Sequence, residues 1–362
     1  MHERKIYPMS DLEDKKNMEQ MKYECELPDD IVFISPEDDI QFKCARCGGC
    51  CKHRTGRDSI GLSPLDIYNG AKLLGISTEA FLEDYCDEDM GPYSGYHVVT
   101  LKSDYETGKC VFLDEDPDTG LAKCRIHDAK PTICALHPLG YFLATDNDGK
   151  DAVRYIMTAP CAESQNGDTI KASEIIGNMK ATEEELLIAM KVRTPIARLK
   201  PLSDTIAHYS AMLSARLDEK GRKKLAISDR LVQIGNNIHS EFVKAFDGVD
   251  PLTCDPAPGY EKEKSSFKAM TPRELTDFVQ VLVNSMREVQ SMNRYFTYVN
   301  YDTSKPFLAQ AKMNYDIFSK AIGGIRDICD HIVNLCADNS GKATPEKVRD
   351  FLENLPHERI LA

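Results

Sequence analysis

The stretch Cys44-Ala45-Arg46-Cys47-Gly48-Gly49-Cys50-Cys51 decides how the first half of this chain is read. Two-residue gaps let successive thiolates curl onto one ion or cluster, and Gly48-Gly49 permit the tight backbone such a loop needs. Cys50 and Cys51 are adjacent, and that limits the geometry. Neighbouring side chains point to opposite faces of an extended segment, or diverge by ~100° in a helical turn. The pair is therefore expected to splay apart, which suits two four-ligand sites or one polynuclear site better than a single ion. The spacing is not the ferredoxin run C-x2-C-x2-C-x3-C-P, because the fourth cysteine arrives too early. Nor does it contain the C-x3-C-x2-C loop of radical enzymes that use S-adenosylmethionine.

Working outward, Cys110, Cys124, Cys134 and Cys161 follow, each in a context suited to a fixed ligand. Cys134 comes just after Lys130-Pro131 and Cys161 directly after Pro160, so rigid turns aim both. Of 13 cysteines, ten fall at or before Cys161, which places the thiol chemistry in the first half. Unliganded thiols at this density oxidise readily, so metal ligation is the expected state. Cys25 and Cys86 read as structural or free. Cys329 and Cys336, seven apart on a helical stripe, read as core. His53, His127 and His137 flank the motifs as ligands or supporting donors, although a lone histidine is more often structural. His208, His239 and His331 have no partners at ligand spacing.

Lys43, Arg46, Lys52, Arg54 and Arg57 crowd the loop, with no acid between Lys43 and Arg57. Positive charge there lowers thiolate pKa values and offsets a thiolate-rich site. A landing patch for an anionic substrate is the alternative, and ordinary charge compensation the expectation.

Residues 1–40 read as an acidic arm, with Ile31 to Ile34 docking as a strand. Residues 41–165 form an irregular cysteine-rich module. His97 to Leu101, Cys110 to Leu113 and Val153 to Met157 are its strand candidates. One helix begins at Ser63-Pro64 and the next near Ser77. Residues 166–362 turn helical, with capping boxes at Thr182 with Glu185 and at Thr271 to Glu274. Apolar stripes run from Ile227 through Leu231, Ile234, Ile238 and Phe242 to Phe246, and from Leu275 through Phe278, Leu282, Met286 and Val289 to Phe296. A third runs from Leu308 through Ala311, Tyr315, Phe318 and Ile322 to Cys336. Such stripes predict a helical bundle, with Asp247 to Ser266 as a long connection and a last helix from Thr344-Pro345. No internal repeat stands out. The fold class expected is α+β: the cysteine module followed by the bundle.

With 362 residues, 42% apolar and 28% charged, the chain has material for a real core. A net charge of −13 argues against a nucleic-acid partner. No secretory signal and no apolar run of ~18–20 residues is seen, so the expected location is the reducing cytoplasm, away from membranes. No G-x-G-x-x-G follows a strand, and P-loop, H-E-x-x-H and G-x-S-x-G signatures are missing.

From Phe42 to Cys161 the sequence resembles the YkgJ-type CxxCxxCC family, described as a zinc- or iron-chelating domain. The resemblance is carried by Phe42-Lys43-Cys44 through Cys51, Leu62-Ser63-Pro64-Leu65-Asp66, Cys110 to Leu113, Cys124-Arg125-Ile126-His127, and Lys130 to Cys134 followed by Pro138. The family usually has Arg-Pro where this chain has Lys130-Pro131, and an aromatic residue where it has His137. The resemblance implies that the matching cysteines bind metal, and it links the chain loosely to flagellin lysine N-methylases, which share the module.

Residues and resemblance together give one expectation. Cys44, Cys47, Cys50, Cys51, Cys110, Cys124, Cys134 and Cys161 hold an iron–sulfur cluster, or iron, in one polynuclear or two four-ligand sites, supporting redox chemistry or protein side-chain modification. Zinc in a stapled interaction module without catalysis is the alternative, and a lysine N-methylase follows by analogy alone. The partner expected is another protein, as substrate or redox partner.

Overall fold

The computed structural model describes residues 32–52, 60–90, 97–145, 151–158, 168–192, 210, 214, 217–225, 227–248, 273, 277, 280, 284, 288–336 and 343–354. Together they form a mixed α+β structure with small antiparallel sheets and helices. The chain divides into two compact units. One holds Met1–Asp89, Val98–Val192 and Thr297–Asn314; the other holds Met90–His97, Arg193–Phe296 and Tyr315–Ala362. No described helix is long and apolar enough to cross a membrane.

The first unit begins with β1 (Val32–Ile34) and β2 (Asp39–Gln41). Helices α1 (Pro64–Leu74) and α2 (Thr78–Tyr85) follow the cysteine loop. Both start where the sequence signals them. Ser63 and Asp66 close a capping box ahead of Pro64, and the Ser77 side chain accepts from the Ala80 N–H. The α1 helix ends at Gly75, whose φ of 69° is the left-handed conformation that glycine adopts without strain. Gly70 lets the two helices close together, since a Cβ there would sit 2.6 Å from Cε2 of Phe81.

Strands β3 (Cys86–Met90) and β4 (His97–Leu101) pair with each other, as do β5 (Leu113–Glu115) and β6 (Ala122–Cys124). After the short helix α3 (Thr132–Leu136), strands β7 (Leu139–Thr145) and β8 (Asp151–Met157) form a hairpin. Strand β1 adds antiparallel to β8, so the segment expected to dock does dock, along Val32–Ile34. Strand β9 (Thr169–Lys171) pairs with β2 and leads into α4 (Ala172–Ile176) and α5 (Glu183–Lys191). The expected capping box of Thr182 with Glu185 opens α5. Cys110 to Leu113 is not a strand. Cys110 makes a single bridge to Ser103, residues 111–112 turn, and the strand starts at Leu113. Phe112, within that turn, is buried in the core.

That core is aromatic. Phe81 stacks on Phe112 at 6.0 Å, and Tyr85 lies 4.8 Å from Phe112. Tyr298, fully buried, joins the same cluster from far along the chain. Its segment is pinned by two hydrogen bonds: Thr78 Oγ1 donates to the Val299 carbonyl at 2.8 Å, and Tyr68 Oη to that of Lys305 at 2.6 Å.

In the second unit, α6 (Glu219–Lys224) precedes α7 (Asp229–Ala245), which begins at the Ser228 cap. Ile238, Phe242 and Phe246 bury one face of α7 against Val348 of α9 (Pro345–Glu353), and Phe351 meets Phe242 edge-on at 5.4 Å. The long helix α8 (Phe307–Cys336) begins in the first unit, where it buries Phe307, Ala311 and Asn314, and continues in the second, where it buries Phe318 and Ile322, in steps of three and four. Of the stripe from Leu275 to Phe296, the described residues are Val289, which is buried, and Phe296, which stacks on Phe318 at 6.1 Å. The box at Thr271, most of the connection from Asp247 and the side chains of Cys329 and Cys336 lie outside the described residues.

Tyr298→Ala removes a fully buried ring and is expected to lower unfolding free energy by roughly 3–5 kcal/mol, as large aromatic truncations in cores do. Leu231→Ala, on the exposed side of α7, should cost well under ~1 kcal/mol. Urea denaturation of both variants checks the contrast.

Candidate metal centre

Three chain segments deliver cysteines to one region. In the first, Arg46 takes a φ of 51° and Gly48 one of 73°, so the loop doubles back before Cys50. The loop docks on β6: the Ala122 N–H donates to the Arg46 carbonyl at 2.8 Å, and Arg46 Nε donates to the Ala122 carbonyl at 3.2 Å. A Cβ on Gly48 would press on the Ala122 methyl at 3.2 Å. Gly49–Cys51 then form one turn of 3-10 helix, closed by the Cys51 N–H on the Gly48 carbonyl at 2.9 Å.

That turn places the sulfurs of Cys50 and Cys51 3.7 Å apart. The expected divergence of the pair is therefore corrected. Their Cα–Cβ bonds do splay in a tight turn, but rotation about a single torsion swings each sulfur back toward the other. A tetrahedral site with metal–sulfur bonds of about 2.3 Å has sulfur–sulfur edges of about 3.8 Å, so the pair is spaced like two corners of one site.

The second segment is tied to the first by the Cys110 N–H, which donates to the Cys51 carbonyl at 2.9 Å. It contains two turns of one design. In Asp104-Tyr105-Glu106-Thr107-Gly108, the Asp104 carboxylate accepts from the Thr107 N–H and Oγ1, each at 2.7 Å, and the Gly108 N–H donates to the Asp104 carbonyl at 2.8 Å. In Asp116-Pro117-Asp118-Thr119-Gly120, the corresponding distances are 2.9, 2.8 and 2.8 Å. Each turn precedes a cysteine, Cys110 or Cys124. This local repeat runs against the sequence reading, where the different spacing to the two cysteines concealed it.

The third segment is α3, which carries Cys134 and has no side-chain cap of its own. Its first turn is held by Asp66 of α1, whose Oδ1 accepts from the Thr132 N–H and Oγ1, each at 2.7 Å. Oδ2 of the same carboxylate accepts from the Ser63 N–H at 2.8 Å and from Ser63 Oγ at 2.7 Å. Asp66 is buried, and every one of these bonds is charge-assisted. The Ser-Pro-Leu-Asp signal at 63–66 was legible, but its second partner, Thr132, lies 66 residues on.

The thiols act on each other. The hydrogen bond with Cys50 pushes the Cys51 thiol far above the ordinary cysteine range, helped by burial and by the neighbouring Cys50, Cys134 and Cys110. Burial also pushes Cys124 up, opposed by the Ile126 N–H. Thiols crowded this way ionise together only when a cation offsets their charge. Lys130 and Arg125 favour the charged form of Cys124. Lys52 and Lys109 pair with Glu115 at 2.6 and 3.3 Å, and Lys43 lies 4.0 Å from Asp168.

Cys50, Cys51, Cys110, Cys124 and Cys134 thus share one neighbourhood, none of them in a disulfide. Cys44 is exposed, and Cys47 accepts from the Gly49 N–H at 3.4 Å. Cys161 and His53 lie outside the described residues, as do Cys25, Arg54 and Arg57. His127 is exposed. His137, joined to Pro138 by a cis peptide bond, packs edge-on against Phe42. Cys86 is buried in the apolar core, which lifts its thiol to about 12. Among the described residues no three Cys, His, Asp or Glu side chains close around a single ion. The donor chemistry nonetheless fits a thiophilic cation, and the Cys50–Cys51 edge has the right length.

Residues 43–162 match the CxxCxxCC family model, whose description reads "Putative zinc- or iron-chelating domain". The match covers the segment where the sequence showed the resemblance, and it supports metal binding there. The chain is also 31% identical over 99 residues to an uncharacterized protein of Methanocaldococcus jannaschii, a stretch covering 27% of this chain and 45% of that protein. No solved structure matches. The link to flagellin lysine N-methylases is not among these similarities.

Asp104 and Asp116 both titrate below the ordinary aspartate range. For Asp104 the Thr107 hydroxyl is the main cause; for Asp116 it is the Thr119 N–H, followed by its hydroxyl. A depressed carboxyl stabilises the fold above its unfolded pKa, and that stabilisation fades as pH falls through the folded value. Carboxyl NMR titration should place both midpoints below that of an unfolded aspartate. Thr107→Val should raise Asp104 alone; an equal rise at Asp116 would contradict the independence of the two turns.

Proposed function

We propose that the cysteine module is a metal-binding unit in which thiolates hold a polynuclear zinc or iron site. Cys50 and Cys51 share one ion, while Cys110, Cys124 and Cys134 supply further ligands. The 3.7 Å pair, with Cys110 and Cys134 near enough to act electrostatically on Cys51, is the observation that carries this reading. Five thiols exceed the four positions of one tetrahedral ion, which favours more than one metal. Cys44, Cys47 and Cys161 extend the same donor set. Bound metal would let the crowded thiols ionise, and it would cross-link three segments built mostly of turns and three-residue strands.

The zinc form of this reading is an interaction module for another protein, with metal supplying folding energy. The iron form, with inorganic sulfide, would suit redox work or modification of a protein side chain. Because ligation displaces protons, metal affinity should fall as pH falls.

Elemental analysis and a visible spectrum on protein purified without oxygen test the proposal. More than one zinc or iron per chain is expected. Iron with acid-labile sulfide and an absorption that bleaches under dithionite identifies a cluster; colourless protein identifies zinc. Cys50→Ser and Cys51→Ser should both lower metal content, and Cys86→Ser should not. Metal-free protein, or equal loss in all three variants, would overturn the assignment.

A further inference from the structure

We infer that Asp66 is a positioning residue of the metal centre: its buried carboxylate ties the start of α1 to the start of α3 and so aims Cys134 at the Cys50–Cys51 pair. This inference rests on the metal–thiolate reading above. Asp66 bears no metal in that reading and does no chemistry. Its two oxygens are divided between two helix starts, Oδ2 on Ser63 and Oδ1 on Thr132. The α1 cap alone needs only Oδ2, so the second oxygen has a separate task.

That task falls on α3 because nothing else in its first turn does it. Pro131 precedes the helix and offers no side-chain cap, so the Thr132 N–H and hydroxyl both turn to Asp66. Cys134 follows in the same turn, its N–H on the Pro131 carbonyl at 2.8 Å. A shift of Thr132 therefore carries Cys134 with it. Buried, charge-assisted bonds hold such a placement tightly, and residues that orient ligands typically affect metal affinity by about 10–100-fold.

Substitution chemistry separates this role from plain stability. In Asp66→Asn the amide offers one acceptor oxygen, which can serve Ser63 or Thr132 but not both, because its –NH2 would face another donor. Thr132→Val removes only the hydroxyl bond to α3, and Thr132→Ser restores it. Val153→Ala, at a buried position of β8 outside the aromatic cluster, serves as a control that destabilises the unit without touching the α1–α3 link.

The experiment is titration of the full-length, reduced, metal-free protein with Co2+, followed through the sulfur-to-cobalt charge-transfer band and competition with a chelator. Asp66→Asn and Thr132→Val should weaken Co2+ binding about 10-fold or more and lower the band as Cys134→Ser does. Thr132→Ser should bind like the wild type, and Val153→Ala should keep the band while unfolding at lower urea. Adding Asp66→Asn to Cys134→Ser should cost nothing further. Wild-type affinity and band in both Asp66→Asn and Thr132→Val would overturn the inference and leave the metal reading intact; full additivity with Cys134→Ser would reduce Asp66 to a structural role. If the wild type took up no Co2+, the metal reading would fall and this inference with it.

Discussion

Burial of the Phe112 ring is the contact on which the cysteine region depends. Its faces and edges meet Phe81 and Tyr85, and the Arg125 guanidinium lies over it at 5.5 Å. Its carbonyl accepts from the Arg125 N–H at 2.9 Å. One residue therefore joins the helical layer of α1 and α2 to the two turns that carry Cys110 and Cys124. The segments bearing thiols are too short to hold themselves; three-residue strands and single turns have little cooperative strength of their own. They borrow rigidity from an aromatic core against which Cys110, Cys124, Ile126 and Cys134 also pack.

Against that fixed background, crowding of the thiols is the opposing force. Sulfur atoms 3.7 Å apart favour protonation of at least one of them, and further thiols nearby strengthen the preference. The lysines beside the loop do not relieve it, because Glu115 engages two of them. Among the described residues the thiols are held close to one another, with Lys130 and Arg125 easing the ionisation of Cys124. A cation bound as proposed above would supply the charge that lets neighbouring thiols ionise together.

Much of this was legible in the sequence. The helix starts at Ser63, Ser77, Thr182 and Thr344 follow local capping rules, and a local rule is visible locally. The apolar periods give the buried faces of α7 and α8 in the main; Leu231 of the expected stripe is exposed, and Asn314 was passed over because burial of a polar side chain needs a partner, here Asn300, that no period reveals. The Cys50–Cys51 pair was misjudged, since backbone direction alone does not determine where a rotatable sulfur ends. Asp66 and Thr132 could not be matched, being tertiary partners from separate helices. Strand β7 escaped notice although Leu139 to Thr145 is largely apolar; its pairing with β8 is what makes it a strand.

Tyr298 has a consequence for biosynthesis. The aromatic cluster that supports the cysteine turns is completed by a residue made long after Cys134. Translation at about 5–20 residues per second leaves an interval on the order of ten seconds or more between them. During that interval the thiols have emerged while the core behind them is still open. The thiols therefore meet their surroundings first on the nascent chain, and only later with the finished core behind them.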